Sequence, residues 1–227
     1  SLELLQFDKP NYLTAAYLIE HITKLLQQNG HTKLARIRLT LFRGNGGLYD
    51  AENHFPNYII QTWDLNTSNN KLNENGLVID IYKDAKKVCD NFSHLKSNNY
   101  LSYAMAALWA KKNYLNDALL LNPYDTIADA TIANIFIVHN GIIKTPAITE
   151  GCVNGIMKNY LLQCLRKENI PVEETTLSID DVLQAQVVVS DAEVQEFYKS
   201  NAKAYSIDEQ RRTSHILIAA KKDASDA

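Results

Sequence analysis

Three short motifs between residues 94 and 160 decide how this chain is interpreted: HLKSNNYL at 94–101, IADATIANIF at 127–136 and GCVNGIM at 151–157. They provide, in this order, a lysine amine, a carboxylate and a glycine turn at the start of an apolar helix. An amine can bond to a carbonyl carbon, and the backbone N–H groups of a helix start can hold a phosphate without a charged side chain. The stretch therefore predicts a site in which an amine, an acid and an anion-binding turn act together.

Composition narrows the classes of partner. The 227 residues include 23 basic and 26 acidic ones, a formal charge of −3, without a dense basic block. This balance gives little support to a nucleic-acid or membrane partner, and no apolar run approaches the roughly 18 residues that span a bilayer. The start, SLE, is not typical of a signal peptide. Three cysteines without a CxxC pair favour a reduced, cytoplasmic setting, and we expect no metal site.

The first hundred residues predict a helix packed on an antiparallel sheet. Apolar residues recur at helical spacing over residues 11–28, ahead of the stop signal at Gly30. Residues 34–42 alternate between basic and apolar types, which is the period of a strand. Residues 58–63 and 77–82 are predicted to be further strands.

After residue 96 the pattern mixes helices and strands without strict alternation, which favours the α+β class. A helix over residues 100–112 is expected to place one set of apolar and aromatic residues on one side: Tyr100, Tyr103, Ala104, Ala107 and Leu108. The other predicted elements are a buried strand at 118–121, a hairpin with an Asn140-Gly141 turn, a helix at 155–166 and a helix within 175–185 that Ser178 caps.

The motifs resemble those of the class IV, or fold-type IV, aminotransferase family, which includes branched-chain and D-amino-acid aminotransferases and aminodeoxychorismate lyase. The first motif matches the family's Lys-x-x-Asn segment before an apolar helix. The second matches Glu-x-x-x-x-Asn-(Ile/Leu)-Phe, with Asp129 in place of the usual glutamate. The third, VNGIM at 153–157, is particularly close to the lyase. The resemblance implies an α+β class IV aminotransferase-like fold and pyridoxal 5'-phosphate as the cofactor.

By this resemblance Lys96 is the Schiff-base lysine and the proton-transfer base, and Asn99 and Tyr100 lie near the cofactor face. A carboxylate at the ring nitrogen keeps the ring protonated, a role that falls to Asp129 although its side chain is about 1.5 Å shorter than glutamate. The backbone N–H groups of Ile156 and Met157 would hold the phosphate. Two alternatives stay open: Tyr100 packs in the core, and Asp129 caps a turn.

Two arginines are candidates for the substrate carboxylate. Arg38 stands at the strand position where branched-chain enzymes carry an arginine, and Arg43 opens an Arg-Gly-x-Gly-Gly segment like that of the lyase subgroup. Because the two are five residues apart, a regular strand would point them to opposite faces. We favour Arg43, whose glycine loop could approach a ligand closely, although both could be solvated. The family also implies a homodimer and a carboxylate-bearing amino substrate.

The resemblance covers about residues 1–186 and lacks one part of the family pattern. Family members carry a His-x-x-Arg-Leu segment whose arginine holds the cofactor phosphate, and the first forty residues contain no such segment. The expectation is a truncated two-domain form. Residues 1–95 would be the remainder of the small N-terminal α+β domain, and residues 96–186 the larger cofactor-binding domain.

Residues 187–227 are similar to the start of a parvulin-type peptidyl-prolyl isomerase, in which His215 would belong to the active-site histidine set. This predicts a helical C-terminal segment of different origin, too short for a complete domain, and so a composite chain. A divergent end of the aminotransferase fold is the competing explanation. Three functions follow: a lyase or aminotransferase, a scaffold without catalytic activity, and a prolyl isomerase, of which the last is not expected because its catalytic body does not follow.

Overall fold

A computed structural model describes residues 2–32, 34–47, 49–50, 52–65 and 76–190. The chain divides into two compact units, Ser1–Asn69 and Asn70–Ala227. The predicted domain boundary at residue 95 stays a prediction. Within the described ranges, none of the helices combines the length and apolarity needed to cross a bilayer.

The first unit is a helix with a two-stranded antiparallel sheet, as predicted. Helix α1 spans Ala15–Gln28, and strands β1 (Ala35–Phe42) and β2 (Asn57–Asp64) pair along their full lengths. The helix begins at residue 15, four residues later than the apolar spacing indicates, because the Thr14 side chain accepts a hydrogen bond from the Tyr17 N–H and caps it.

Over residues 76–190, the second unit contains two further sheets, of three and four strands, in the orders β3-β4-β5 and β8-β7-β6-β9. Its elements are β3 (Ile79–Tyr82), α2 (Leu101–Lys112), β4 (Asp117–Leu121), β5 (Ile127–Ala130), β6 (Ile135–His139), β7 (Ile142–Pro146), a 3₁₀ turn (Ile148–Glu150), α3 (Ile156–Lys167), β8 (Val172–Thr175), α4 (Ile179–Leu183) and β9 (Val187–Ser190).

The expectation that residues 77–82 join the first antiparallel sheet was wrong. Strand β3 covers only Ile79–Tyr82 and pairs in parallel with β4, so that Ile79 lies opposite Asp117. Helix α2 makes the crossover between these two strands, as parallel pairing requires. Alternation of residue types predicts a strand but does not identify its partner.

The expected face of α2 was also wrong. Ala106 and Ala110 are the buried residues of this helix, and they pack with Tyr82 and Leu120. Leu108, which belongs to the predicted apolar side, is 62% exposed. Helical spacing alone allows both faces here, because alanine and aromatic residues occur all around α2.

Local turn and cap signals were confirmed. Asn140 and Gly141 both have positive φ, 51° and 77°, and join β6 to β7 in a two-residue hairpin. Ser178 caps α4 in a capping box with Asp181. The last described strand, β9, pairs antiparallel with β6, four residues beyond the predicted limit at 186. The segment 191–227, including His215, lies outside the described residues.

A candidate cofactor-binding site around Asp129

Asp129 lies inside β5 and is 2% exposed. Its Oδ2 accepts hydrogen bonds from Lys87 Nζ at 3.1 Å, the Tyr103 hydroxyl at 2.8 Å and the Val153 N–H at 2.8 Å. Its Oδ1 accepts from the Asn134 side-chain amide at 2.9 Å. The alternative that Asp129 caps a turn was therefore wrong, because the residue is a buried acceptor at the centre of a network.

Burial raises the pKa of the Asp129 carboxyl above its ordinary value, because a carboxylate loses its hydration inside the protein. The Lys87 ammonium opposes that rise most strongly, followed by the Val153 N–H and the Tyr103 hydroxyl. The ion pair is enclosed, since the Lys87 and Asp129 side chains are 7% and 3% exposed. The site thus combines a buried acid with a resident cation.

Backbone and side-chain hydrogen bonds join all three sequence motifs here. The Asn154 N–H donates to the His94 carbonyl at 2.9 Å, which links the third motif to the first motif. His94 stands two residues before Lys96. The Asn134 side chain donates to the Val153 carbonyl at 2.8 Å and to Asp129, which links the third motif to the second. Residues separated by up to 60 positions in the chain therefore converge on one region.

The predicted amine lies at the surface of this region. Lys96 is exposed, as is Asn99, and both precede α2. Tyr100 occupies the N-cap position of α2 and is 52% exposed, so the alternative that it packs in the core was wrong. An exposed amine is open to a ligand.

The start of α3 at Ile156 leaves backbone N–H groups without an intrahelical partner. Gly155 is its N-cap and has no side chain to cover the first turn. Ile156 is 89% exposed and Met157 is partly buried. The N–H groups of a first helical turn have no acceptor within the helix, so they can donate hydrogen bonds to a bound anion.

The class IV amino-transferase family model matches residues 4–190, which is more than half of the chain. The chain belongs to the class IV aminotransferase family. The match ends with β9 and so includes the last described strand.

Among relatives, the chain is 30% identical over 93 residues to a branched-chain-amino-acid aminotransferase of Pseudomonas aeruginosa, covering 40% of this chain and 30% of the relative. It is 28% identical over 93 residues to the aminodeoxychorismate lyase of Vibrio harveyi, covering 41% and 34%. The chain thus spans about a third of the length of the curated relatives that it matches.

Solved class IV structures share the fold. The branched-chain amino acid aminotransferase of Thermobaculum terrenum in its PLP holo-form superposes with a TM-score of 0.68 at 20% identity, covering 83% of this chain and 62% of that one. At this identity the likeness concerns the α+β fold alone, which confirms the predicted class.

The two candidate substrate arginines both lie in the first unit. Arg43 donates to the carbonyls of Leu5 and Gln6, and its guanidinium lies 4.4 Å from the centre of the Phe7 ring. Arg43 therefore binds the turn at residues 2–6 in this structure. Arg38 is an exposed residue of β1 opposite Gln61.

Sequence reasoning missed Lys87 and Tyr103, which both contact Asp129. Lys87 belongs to the segment KDAKK at 83–87, whose charged composition is typical of a solvent-exposed loop. The sequence does not distinguish it from the neighbouring lysines. Tyr103 was predicted only to lie on one side of α2, without a role for its hydroxyl. Asn134 could have been predicted, because it matches the asparagine that stands five residues after the acid in the family pattern.

A second buried lysine lies beneath the glycine turn. Lys158 is fully buried, and its Nζ donates to the Pro146 carbonyl at 2.6 Å and lies 3.5 Å from both Cys152 Sγ and Glu174 Oε1. Burial raises the pKa of the Cys152 thiol, with Lys158 opposing. These contacts fasten the start of α3 to the end of β7.

Proposed function

We propose that this chain is a pyridoxal phosphate-dependent class IV enzyme. The observation that carries the proposal is the convergence of the three motifs, through hydrogen bonds, on the buried carboxylate of Asp129. A structural relative solved in its PLP holo-form supports the same cofactor.

The residues around Asp129 fit such a cofactor. A carboxylate oxygen can accept two hydrogen bonds, and Oδ1 accepts one from Asn134, which leaves an acceptor position for a ring N–H. The uncovered first turn of α3 suits a phosphate, and the exposed Lys96 amine suits the aldehyde. The acid, the amine and the backbone donors thus suit the ring nitrogen, the aldehyde and the phosphate of pyridoxal phosphate, respectively.

Each residue then has a distinct task. Lys96 would hold the cofactor through its amine, and would take the α-proton of the substrate and return it. Asp129 would keep the ring nitrogen protonated, and the Ile156 and Met157 N–H groups would hold the phosphate. Asn99 and Tyr100 would line the cofactor face. When bound, pyridoxal phosphate stabilises the negative charge that develops on the substrate.

The reaction that we favour is that of an aminodeoxychorismate lyase: elimination of pyruvate to give 4-aminobenzoate for folate synthesis. The VNGIM turn and the Arg43 loop favour it. The alternative is a branched-chain or D-amino-acid type aminotransferase, which the Pseudomonas relative favours. The homodimer, the carboxylate-bearing substrate and the cytoplasmic location stay predictions.

A scaffold without catalytic activity is the alternative from another class. One observation favours it: Arg43, the preferred candidate for the substrate carboxylate, already binds carbonyl groups within its own unit. A chain of this kind would keep the fold and bind the cofactor weakly or not at all.

Adding pyridoxal phosphate to the protein is expected to produce the absorbance band of a lysine-bound cofactor near the visible edge. Lys96→Ala should abolish the band, because the bond forms at that amine. Lys112→Ala is the matched control, since this lysine is also exposed but lies at the far end of α2, and it should keep the band. An absorbance titration of the three proteins measures the effect.

The absence of a band in the wild-type protein would overturn the cofactor proposal in favour of the scaffold. A band that persists in Lys96→Ala would move the covalent role to another lysine. Variants that bind cofactor without Lys96 should still lose about 10²–10⁴-fold in turnover, the usual contribution of a positioned proton-transfer group.

A direct assay separates the two reactions. We expect turnover of aminodeoxychorismate with release of pyruvate and no requirement for a keto acid. A panel of amino-donor and keto-acid pairs, run beside it with the same enzyme, is the comparison. Turnover that depends on a keto acid and releases no pyruvate would reverse the ranking of the two reactions.

A further inference from the structure

Lys87 occupies a position that the three motifs do not explain. Its Nζ lies 3.1 Å from Asp129 Oδ2 and 3.3 Å from the Ser93 carbonyl, which it also contacts as a donor. The ammonium stands 5.1 Å from the centre of the Tyr103 ring, over its face. The lysine is therefore enclosed by groups that favour a positive charge.

A buried carboxylate needs such a cation in order to stay ionised. Transfer from water into the protein interior disfavours the charged form, whereas an opposite charge in contact favours it. Of the influences that lower the pKa of Asp129, the Lys87 charge is the largest. Its other contacts with the described residues are neutral donors.

The other titratable groups near Asp129 do not replace Lys87. Burial raises the pKa of the Tyr103 hydroxyl far above its ordinary value, so this group remains a neutral donor. The pKa of the Cys152 thiol is raised as well, and its neighbour Lys158 is directed to the Pro146 carbonyl. The Val153 N–H and the Asn134 amide complete the surroundings without a charge.

We propose that Lys87 is a positioning residue for Asp129: its ammonium keeps the carboxylate ionised and fixed in orientation before any ring nitrogen meets it. The purpose of this arrangement rests on the proposed function, because an ionised Asp129 is what a protonated ring requires. Oδ2 accepts from Lys87, and Oδ1 accepts from the Asn134 amide, so the contacts with Lys87 and Asn134 hold the two oxygens separately.

Carbon-13 NMR of aspartate carboxyl groups in the cofactor-free protein tests the proposal. Asp129→Asn assigns the signal by its disappearance. In the wild-type protein we expect this signal at the ionised position at pH 7. In Lys87→Met its titration midpoint should move to higher pH, so that the pH 7 signal shifts toward the protonated position. Lys87→Arg keeps a cation and should restore the ionised position.

Two results would overturn the proposal: a protonated Asp129 in the wild-type protein at pH 7, or an ionised Asp129 in Lys87→Met. If Lys87→Met does not fold, nitrogen-15 NMR of the wild-type protein decides. A slowly exchanging Lys87 ammonium signal that Asp129→Asn removes supports the pair, and its absence contradicts it. Because no cofactor is present, these results are independent of the absorbance titration that tests the proposed function.

Discussion

Replacement of Asp129 by alanine is expected to lower the free energy of unfolding by about 3–5 kcal/mol, the cost of leaving a buried charge without its partner. The substitution leaves the Lys87 ammonium buried without its carboxylate partner. It also removes the acceptor of hydrogen bonds from the Tyr103 hydroxyl, the Asn134 amide and the Val153 N–H. Because whole domains are stable by only about 5–15 kcal/mol, a loss of this size should be plain in urea denaturation followed by circular dichroism.

The double variant Lys87→Met, Asp129→Asn is the matched control. It removes both charges and keeps side chains of similar size, so its loss should be smaller than that of Asp129→Ala. Equal losses for the two proteins would mean that packing, and not the unpaired ammonium, determines the effect. A loss below about 1 kcal/mol for Asp129→Ala would contradict the buried network altogether.

Replacement of Gly151 by alanine is expected to cost about 2–5 kcal/mol, for two separate reasons. The backbone has φ of +86°, which disfavours any side chain, and a Cβ atom would lie 2.8 Å from the Val88 carbonyl oxygen and 3.3 Å from Cys89 Cα. The two nearest atoms both belong to the backbone of the 88–89 segment, so no flexible side-chain end could give way. Thermal and urea unfolding would measure the loss.

Gly141→Ala separates the two causes. Gly141 has φ of +77°, but nothing lies within 4 Å of a Cβ built there, so only the backbone cost of about 1–2 kcal/mol should appear. A loss at Gly151 no larger than that at Gly141 would contradict the close approach of the two backbone segments.

Gly151→Ala should also disturb Asp129. Val88 follows Lys87 directly, and Gly151 stands two residues before Val153, so the new methyl group would push apart two segments that both donate to Asp129. We therefore expect cofactor binding to weaken in this variant even under conditions where it remains folded.

Sequence patterns predicted the local elements better than their partners. Ser178 and the Asn140-Gly141 turn act through neighbours a few residues away, so the chain itself carries the signal. The pairing of β3 with β4 and the buried face of α2 depend on residues far away in sequence. Such choices are made by packing, which spacing does not encode.

The candidate site divides in the same way. Asp129 and the VNGIM turn were singled out because they belong to motifs, and hydrogen bonds join these motifs in the structure. Lys87 was missed because a lysine's role depends on what surrounds its ammonium, and the segment before it is as polar as any surface loop. The contact joins residues 42 positions apart.

Strand β9 has a practical consequence for anyone who shortens this chain. It pairs along one edge of β6, whose Ile135, Phe136 and Ile137 are buried. Val188 of β9 packs in the same core cluster as Ile135 and Ile137. Ending the protein at residue 186 would turn β6 into an open edge of apolar residues with unsatisfied backbone groups. Such edges pair with other molecules, so that truncation invites aggregation, and a shortened form should extend at least through Ser190.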